Sequence, residues 1–216
     1  MTERGFASVV LDVDSTLSGV EGIDWLAARR DGGLGAKVAS LTDRAMRGEL
    51  PLHEVYGERL KMVNPSRDDV TALADMYQSM LAHGAVEAVR QMHAAGRRVV
   101  VISGGIREAI LPLASSLGIA DSEVHAVSLT FTPEGRYASH DASSPLTTSD
   151  GKRTVVEQLA LPKRVLAVGD GSTDLAMKPA VDMFAAYTGF VSRAAVIAGA
   201  DISINTFDQI LELALA

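Results

Sequence analysis

A chain of 216 residues, 47% hydrophobic but only 5% aromatic, can bury one large core, or a core carrying an insertion, on mainly aliphatic packing. A net charge of −7 argues against a nucleic-acid binder, which would need a basic face, and the lack of cysteine excludes disulfides, thiolate metal sites and a cysteine nucleophile. No apolar run reaches membrane-spanning length and the first residues carry no leader-like apolar stretch, so a cytoplasmic protein is expected.

Residues 6–12 read as a buried strand, apolar and β-branched, that runs into Asp12-Val13-Asp14-Ser15-Thr16. Residues 17–82 show helical periodicity and no convincing strand: Ile23, Leu26 and Ala27; then Val38, Leu41 and Ala45 over 36–47; then Val55, Leu60 and Val63 up to Asn64-Pro65. Ser66-Arg67-Asp68-Asp69 is a capping-box pattern opening a further helix with Val70, Leu73, Tyr77 and Leu81 on its apolar face. From Gly84 the pattern alternates. A helix ends at Gly96, Val99–Ile102 is a strand buried on both faces, and Ser103-Gly104-Gly105 leads into a helix to about Leu117. Residues 124–131 and 136–137 read as a strand and hairpin, 139–150 as a loop, 152–161 as a helix and 165–168 as a strand, with short strands near 183–186 and 202–204. This order predicts an α/β fold: a doubly wound, Rossmann-like parallel sheet core formed by 1–16 and 84–216, with residues 17–83 inserted as a helical-bundle cap.

In such sheets a ligand sits beyond the carboxyl ends of the strands. Three ends here are polar or glycine-rich: Asp12-Val13-Asp14, Ser103-Gly104-Gly105 and Gly169-Asp170-Gly171-Ser172-Thr173-Asp174. Asp12 and Asp14 face one side of an extended chain, and two close carboxylates call for a cation or a shared proton. With Asp170 and Asp174 they form an oxygen-only set suited to Mg²⁺, whereas the five histidines show no zinc-like spacing. Ser103 and the glycines after it, at a helix start, would cradle an anion. A carboxylate beside a bound phosphate can attack it, and a second carboxyl can move the proton. Taken singly, Asp170 reads equally as a turn residue, Ser103 as an ordinary strand-to-helix turn, and Lys152 as a surface lysine.

These signatures, Asp12 to Thr16, Ser103, Lys152 and Gly169-Asp170 to Asp174, occur in an order that resembles the haloacid dehalogenase superfamily. The stretches Val20 to Ala27, Thr42 to Gly48, Glu58-Arg59-Leu60 and Asn64 to Arg67 are similar to its phosphoserine phosphatase family, and the likeness runs from Val9 to about Leu211. That resemblance implies a Mg²⁺-dependent phosphomonoester hydrolase acting on O-phosphoserine through an aspartyl-phosphate, in serine biosynthesis. It implies Asp12 as nucleophile and metal ligand, Asp14 as general acid/base and backbone metal ligand, Asp170 as the third ligand and Asp174 as a weaker one. Ser103 and Gly104 match the phosphate cradle and Lys152 the lysine that neutralises its charge. Glu21 matches the carboxylate receiving the substrate ammonium, Arg59 the arginine receiving its carboxylate, and Met46 and Gly48 the adjoining cap loop. Thr173 stands where many bacterial members carry asparagine. Without the resemblance, Glu21 reads as a helix N-terminal acid and Arg59 as a solvated surface charge. A relative acting on another small phosphate ester or transferring the phosphoryl group, and a non-enzymatic phospholigand binder, are the rival readings. The expected partner is the small metabolite, with a homodimer left open.

Overall fold

The computed structural model describes residues 5–30, 32–47 and 49–216, with the side chain of Met46 outside the description. Eight strands and ten helices are described. The strands are β1 (Ser8–Leu11), β2 (Arg98–Ile106), β3 (Val124–Val127), β4 (Leu129–Phe131), β5 (Tyr137–His140), β6 (Val165–Gly169), β7 (Met183–Tyr187) and β8 (Ile202–Ile204). The helices are α1 (Gly22–Ala28), α2 (Leu34–Met46), α3 (Leu52–Val63), α4 (Arg67–Ser79), α5 (Ala85–Ala94), α6 (Arg107–Ser116), α7 (Gly151–Leu159), α8 (Ser172–Leu175), α9 (Ala194–Gly199) and α10 (Phe207–Leu215).

Six strands form one parallel sheet in the order β3-β2-β1-β6-β7-β8. The fold is α/β with a helical cap region, α1 to α4, between β1 and the rest of the sheet. Central β1 and β6 are buried along their whole length, which is why both read as unbroken apolar runs. Leu11 pairs with Val168, and the Asp12 N–H still donates to the Val168 carbonyl at 3.1 Å. That one extra rung sets Asp12 beside Asp170 at the place where strand order reverses. No described helix is long and apolar enough to cross a membrane.

The structure departs from the sequence reading in local register. The first strand is shorter than 6–12, because the chain turns immediately after the Asp12 rung. The segment 124–131 is divided: β3 joins the parallel sheet, while β4 turns away to pair with β5 as an antiparallel hairpin. Ser103-Gly104-Gly105 does not open a helix. It lies within β2, where the pairing with β3 shifts register between Ile102 and Ile106, and α6 begins only at Arg107. Glycines in a strand commonly mark such an irregularity, where another group approaches the backbone.

In the cap, Leu26, Tyr56, Leu60, Leu73 and Tyr77 form the buried interior. The capping box at α4 forms as the sequence predicts: the Asp69 N–H donates to Ser66 Oγ at 3.1 Å, and the Ser66 N–H donates to Asp69 Oδ2 at 2.8 Å. Its two connections to the sheet run side by side: Gly19 N–H donates to the Met80 carbonyl at 3.0 Å and Ala82 N–H to the Leu17 carbonyl at 2.8 Å. Gly84, with φ of 81°, makes the left-handed step that starts α5, a conformation that favours glycine.

Candidate active site

Asp12 leaves β1 with 5% of its surface exposed, too buried to remain charged without a partner. Lys152, at the start of α7 and equally buried, supplies one: its Nζ lies 2.6 Å from Asp12 Oδ1 and 2.6 Å from Asp174 Oδ1. Burial opposes the ammonium, but the two carboxylates outweigh it and hold the lysine above its ordinary pKa. Burial, then the Asp12 charge, pushes Asp174 up to about 7 despite the opposing pull of Lys152. Asp174 Oδ2 also accepts the Gly171 N–H at 2.9 Å, tying the β6 loop to the first turn of α8.

Asp14 points elsewhere. Its Oδ1 accepts the Tyr77 hydroxyl at 2.5 Å and its Oδ2 the Gly22 N–H at 3.1 Å. Burial, then Glu21 and Asp12, pushes its carboxyl well above the usual range, against the pull of those two donors. A carboxyl whose pKa is raised in this way suits general-acid chemistry. Ser15 turns the chain through a left-handed φ of 55° and donates from Oγ to Glu21 Oε1 at 2.9 Å, so the motif itself anchors the cap acid.

The cap side of the cavity carries Glu21, Asp24, Thr42, Tyr56 and Arg59. Arg59 Nη1 donates to Thr42 Oγ1 at 2.5 Å, and Thr42 donates to Asp24 Oδ1 at 2.5 Å. The Nε of Arg59, which is 4% exposed, has no hydrogen-bond partner among the described residues. Tyr56 reaches across to donate to the Gly104 carbonyl at 2.8 Å. Ser103, 1% exposed, accepts the Gly105 N–H on its Oγ at 3.0 Å, so a hydroxyl and the glycine backbone meet at one wall without a helix N-terminus.

Asp12, Asp14, Glu21, Arg59, Ser103, Gly104, Lys152, Asp170 and Thr173 thus converge on one cavity of ≈ 50 Å³, room for a few waters. Asp174 stands behind it. Of the other expected residues, Gly48 and the Met46 side chain lie outside the described residues. Sequence reasoning missed Thr42, Asp24, Tyr56, Tyr77 and Arg193. Tyr77 is read from the pattern as a core position, which it is, and nothing in the spacing says that its hydroxyl meets Asp14. Arg193 precedes α9, 172 residues from Glu21, yet its Nη2 lies 3.3 Å from Glu21 Oε1 and its Nη1 pairs with Asp170.

One oxygen from each of Asp12, Asp170 and Asp174 falls within a group spanning 4.8 Å, and all three side chains are buried. An all-oxygen, carboxylate-rich set fits a hard divalent ion such as Mg²⁺, and the pairing of Arg193 with Asp170 shows that this corner already takes positive charge. The Asp14 carboxylate is not part of that group.

A buried aspartate, lysine and hydroxyl gathered at the β1/β6 switch of a parallel sheet, under a helical cap, define a hydrolase of the haloacid dehalogenase-like class, and that family matches residues 9–178. Two relatives are similar over nearly the whole chain. The chloroplastic phosphoserine phosphatase of Arabidopsis thaliana is 38% identical over 213 residues, 96% of this chain and 72% of the relative. The phosphoserine phosphatase of Rattus norvegicus is 36% identical over 207 residues, 94% of this chain and 91% of the relative. The chain belongs to the phosphoserine phosphatase family of these hydrolases. A solved phospho-aspartyl intermediate analogue of phosphoserine phosphatase superposes with a TM-score of 0.82 at 24% identity, over 97% of this chain and 99% of that one, a likeness of fold.

Proposed function

We propose that this enzyme hydrolyses O-phospho-L-serine to L-serine and phosphate, as the last step of serine formation in the cytoplasm. The observation that carries this reading is that an under-satisfied, buried Arg59 and the acid Glu21 both line the cap side of a cavity whose floor is Asp12 under Lys152. Phosphoserine is a zwitterion bearing a phosphate. A guanidinium suits its carboxylate, an acid its ammonium, and a lysine with a hydroxyl its phosphoryl oxygens.

Asp12 attacks phosphorus, forming the Asp12–phosphorus bond as the bond to the serine oxygen breaks, and Asp14 gives that oxygen its proton. Asp14, now a carboxylate, takes a proton from the water that attacks phosphorus, and the Asp12–phosphorus bond breaks to release phosphate. Lys152, Ser103 and the backbone at Gly104 offset charge on the phosphoryl oxygens, and Thr173 lines the same wall. Mg²⁺, held by Asp12, Asp170 and the Asp14 backbone carbonyl with Asp174 behind, would supply further neutralisation of phosphoryl charge. In this reading Met46 and Gly48 also contact the substrate, and residues 17–83 move as a cap against a core of 1–16 and 84–216 to admit it.

Phosphate release from O-phospho-L-serine, with Mg²⁺ and with chelator, tests this directly. Asp12→Asn should lower turnover by about 10³-fold or more. Turnover at the parental rate would sink the nucleophile assignment.

A further inference from the structure

Among the described residues, Tyr77 is the cap side chain that hydrogen-bonds the acid that moves the proton. Tyr77 sits near the end of α4, with no exposed surface, and its Oη lies 2.5 Å from Asp14 Oδ1. A buried tyrosine must place its O–H on some partner, and a carbonyl or water would ordinarily serve. Here the partner is a carboxyl group two residues beyond the proposed nucleophile. Space for the phenol comes from two glycines on other elements: a Cβ at Gly105, at the end of β2, would come 3.3 Å from the Tyr77 hydroxyl, and a Cβ at Gly22, at the start of α1, would collide with it. The same Gly22 offers its N–H to the other oxygen of Asp14. Phenol and amide therefore grip the two oxygens separately, one from α4 and one from α1, and fix the carboxyl plane from opposite ends of the cap.

We infer that Tyr77 is a positioning residue for the proton-transfer group Asp14, aligning its carboxyl with the leaving oxygen only while α4 is seated against α6. The inference rests on the acid/base role proposed above for Asp14. Tyr77 keeps its own proton throughout. It donates to the carboxylate that forms when Asp14 protonates the leaving alcohol, and it holds that carboxylate in place for the attacking water. Seating depends on α4 packing against α6, so alignment of the acid and closure of the cap are one event.

Tyr77→Phe removes the hydroxyl and leaves the ring. On the alkyl phosphate that the parent hydrolyses best, kcat should fall about tenfold, a fraction of the roughly 10²–10⁴ that general acid–base catalysis supplies, with KM within about twofold. The burst of p-nitrophenol from p-nitrophenyl phosphate, whose leaving group needs no proton, should keep the parental rate constant. A kcat within about twofold of the parent, a parallel change in kcat and KM, or equal slowing of both leaving groups would overturn the assignment and leave Tyr77 a core residue. A parent inactive on phosphoserine would instead count against the substrate reading, and that result appears before any variant is made.

Discussion

Arg193 and Asp170 form a buried ion pair across the rim of the site, and the same guanidinium lies 3.3 Å from Glu21. It thereby occupies both an acid expected to hold a metal and an acid expected to take an ammonium. A divalent ion at Asp170 must share or displace that charge, because two cations on one buried carboxylate repel. Arg193→Gln should therefore bind Mg²⁺ about fivefold more tightly by calorimetry, within the usual size of a coupling between sites. The metal-free variant should also lose about 3 kcal/mol of stability, since Asp170 is left buried without its partner, and Mg²⁺ should restore part of it. Weaker or unchanged Mg²⁺ binding would show that the arginine and the ion do not compete.

Much of this arrangement is legible in the chain because it rests on local pattern. The apolar run before Asp12 and the Ser66 to Asp69 capping box are short-range signals with one physical reading each, while the three polar strand ends point to a site only when taken together. Helical cap and parallel sheet follow from periodicity alone. What is not legible depends on which way a packed side chain aims a single atom. Tyr77 and Tyr56 satisfy the apolar pattern with their rings, and only the fold shows that their hydroxyls reach Asp14 and the Gly104 carbonyl. Arg193 is separated from its partners by most of the chain and lies outside any motif. The Ser103 loop misleads for a different reason: a register shift inside β2 and a helix-opening turn share the same serine-glycine signature.

Lys152 is the counterion for two buried carboxylates at once, so its loss should register in folding as well as in turnover. Lys152→Met keeps much of the side-chain volume and removes the charge. Breaking a buried pair from one side costs about 3–5 kcal/mol, and for a chain of this length that lowers Tm by on the order of 10 °C. Denaturation without Mg²⁺ measures it. Since Asp174 already titrates at about 7, the variant should recover part of the loss below neutrality, where that carboxyl is protonated. Full parental stability at pH 8 would mean that the lysine compensates nothing.

Arg59 should behave in the opposite way. Its Nε is unsatisfied and its best-defined partner is the neutral Thr42 hydroxyl. Its acidic neighbour Asp24 is reached through Thr42 rather than directly, so Arg59→Met should leave Tm close to the parental value. Its proposed task is to meet the substrate carboxylate, and a charge-assisted bond of about 1.5–3 kcal/mol corresponds to a KM about 10–100-fold higher. Phosphoethanolamine, which lacks the carboxylate, should be handled alike by parent and variant. If the variant discriminates between the two substrates as the parent does, Arg59 does not read the carboxylate.

The cap carries its own acid-sensitive clasp, remote from the catalytic groups. Asp69 Oδ2 accepts from Arg30 Nη2 at 2.6 Å and from the Ser66 N–H at 2.8 Å, joining the end of α1 to the start of α4. The Arg30 hydrogen bond, helped by Ser66, holds its carboxyl at about 2, below an ordinary value of 3.8. A carboxyl whose pKa is lower folded than unfolded contributes its stability above the unfolded value, and that contribution is lost as pH falls through the folded one. The pair retains contact with solvent, so screening keeps its worth at about 1 kcal/mol. Asp69→Asn should thus be less stable than the parent by about that amount at pH 7, and the gap should close between about pH 4 and pH 2. Urea denaturation at several pH values measures the difference. A gap that stays constant down to pH 2 would assign the cost to lost capping geometry rather than to charge.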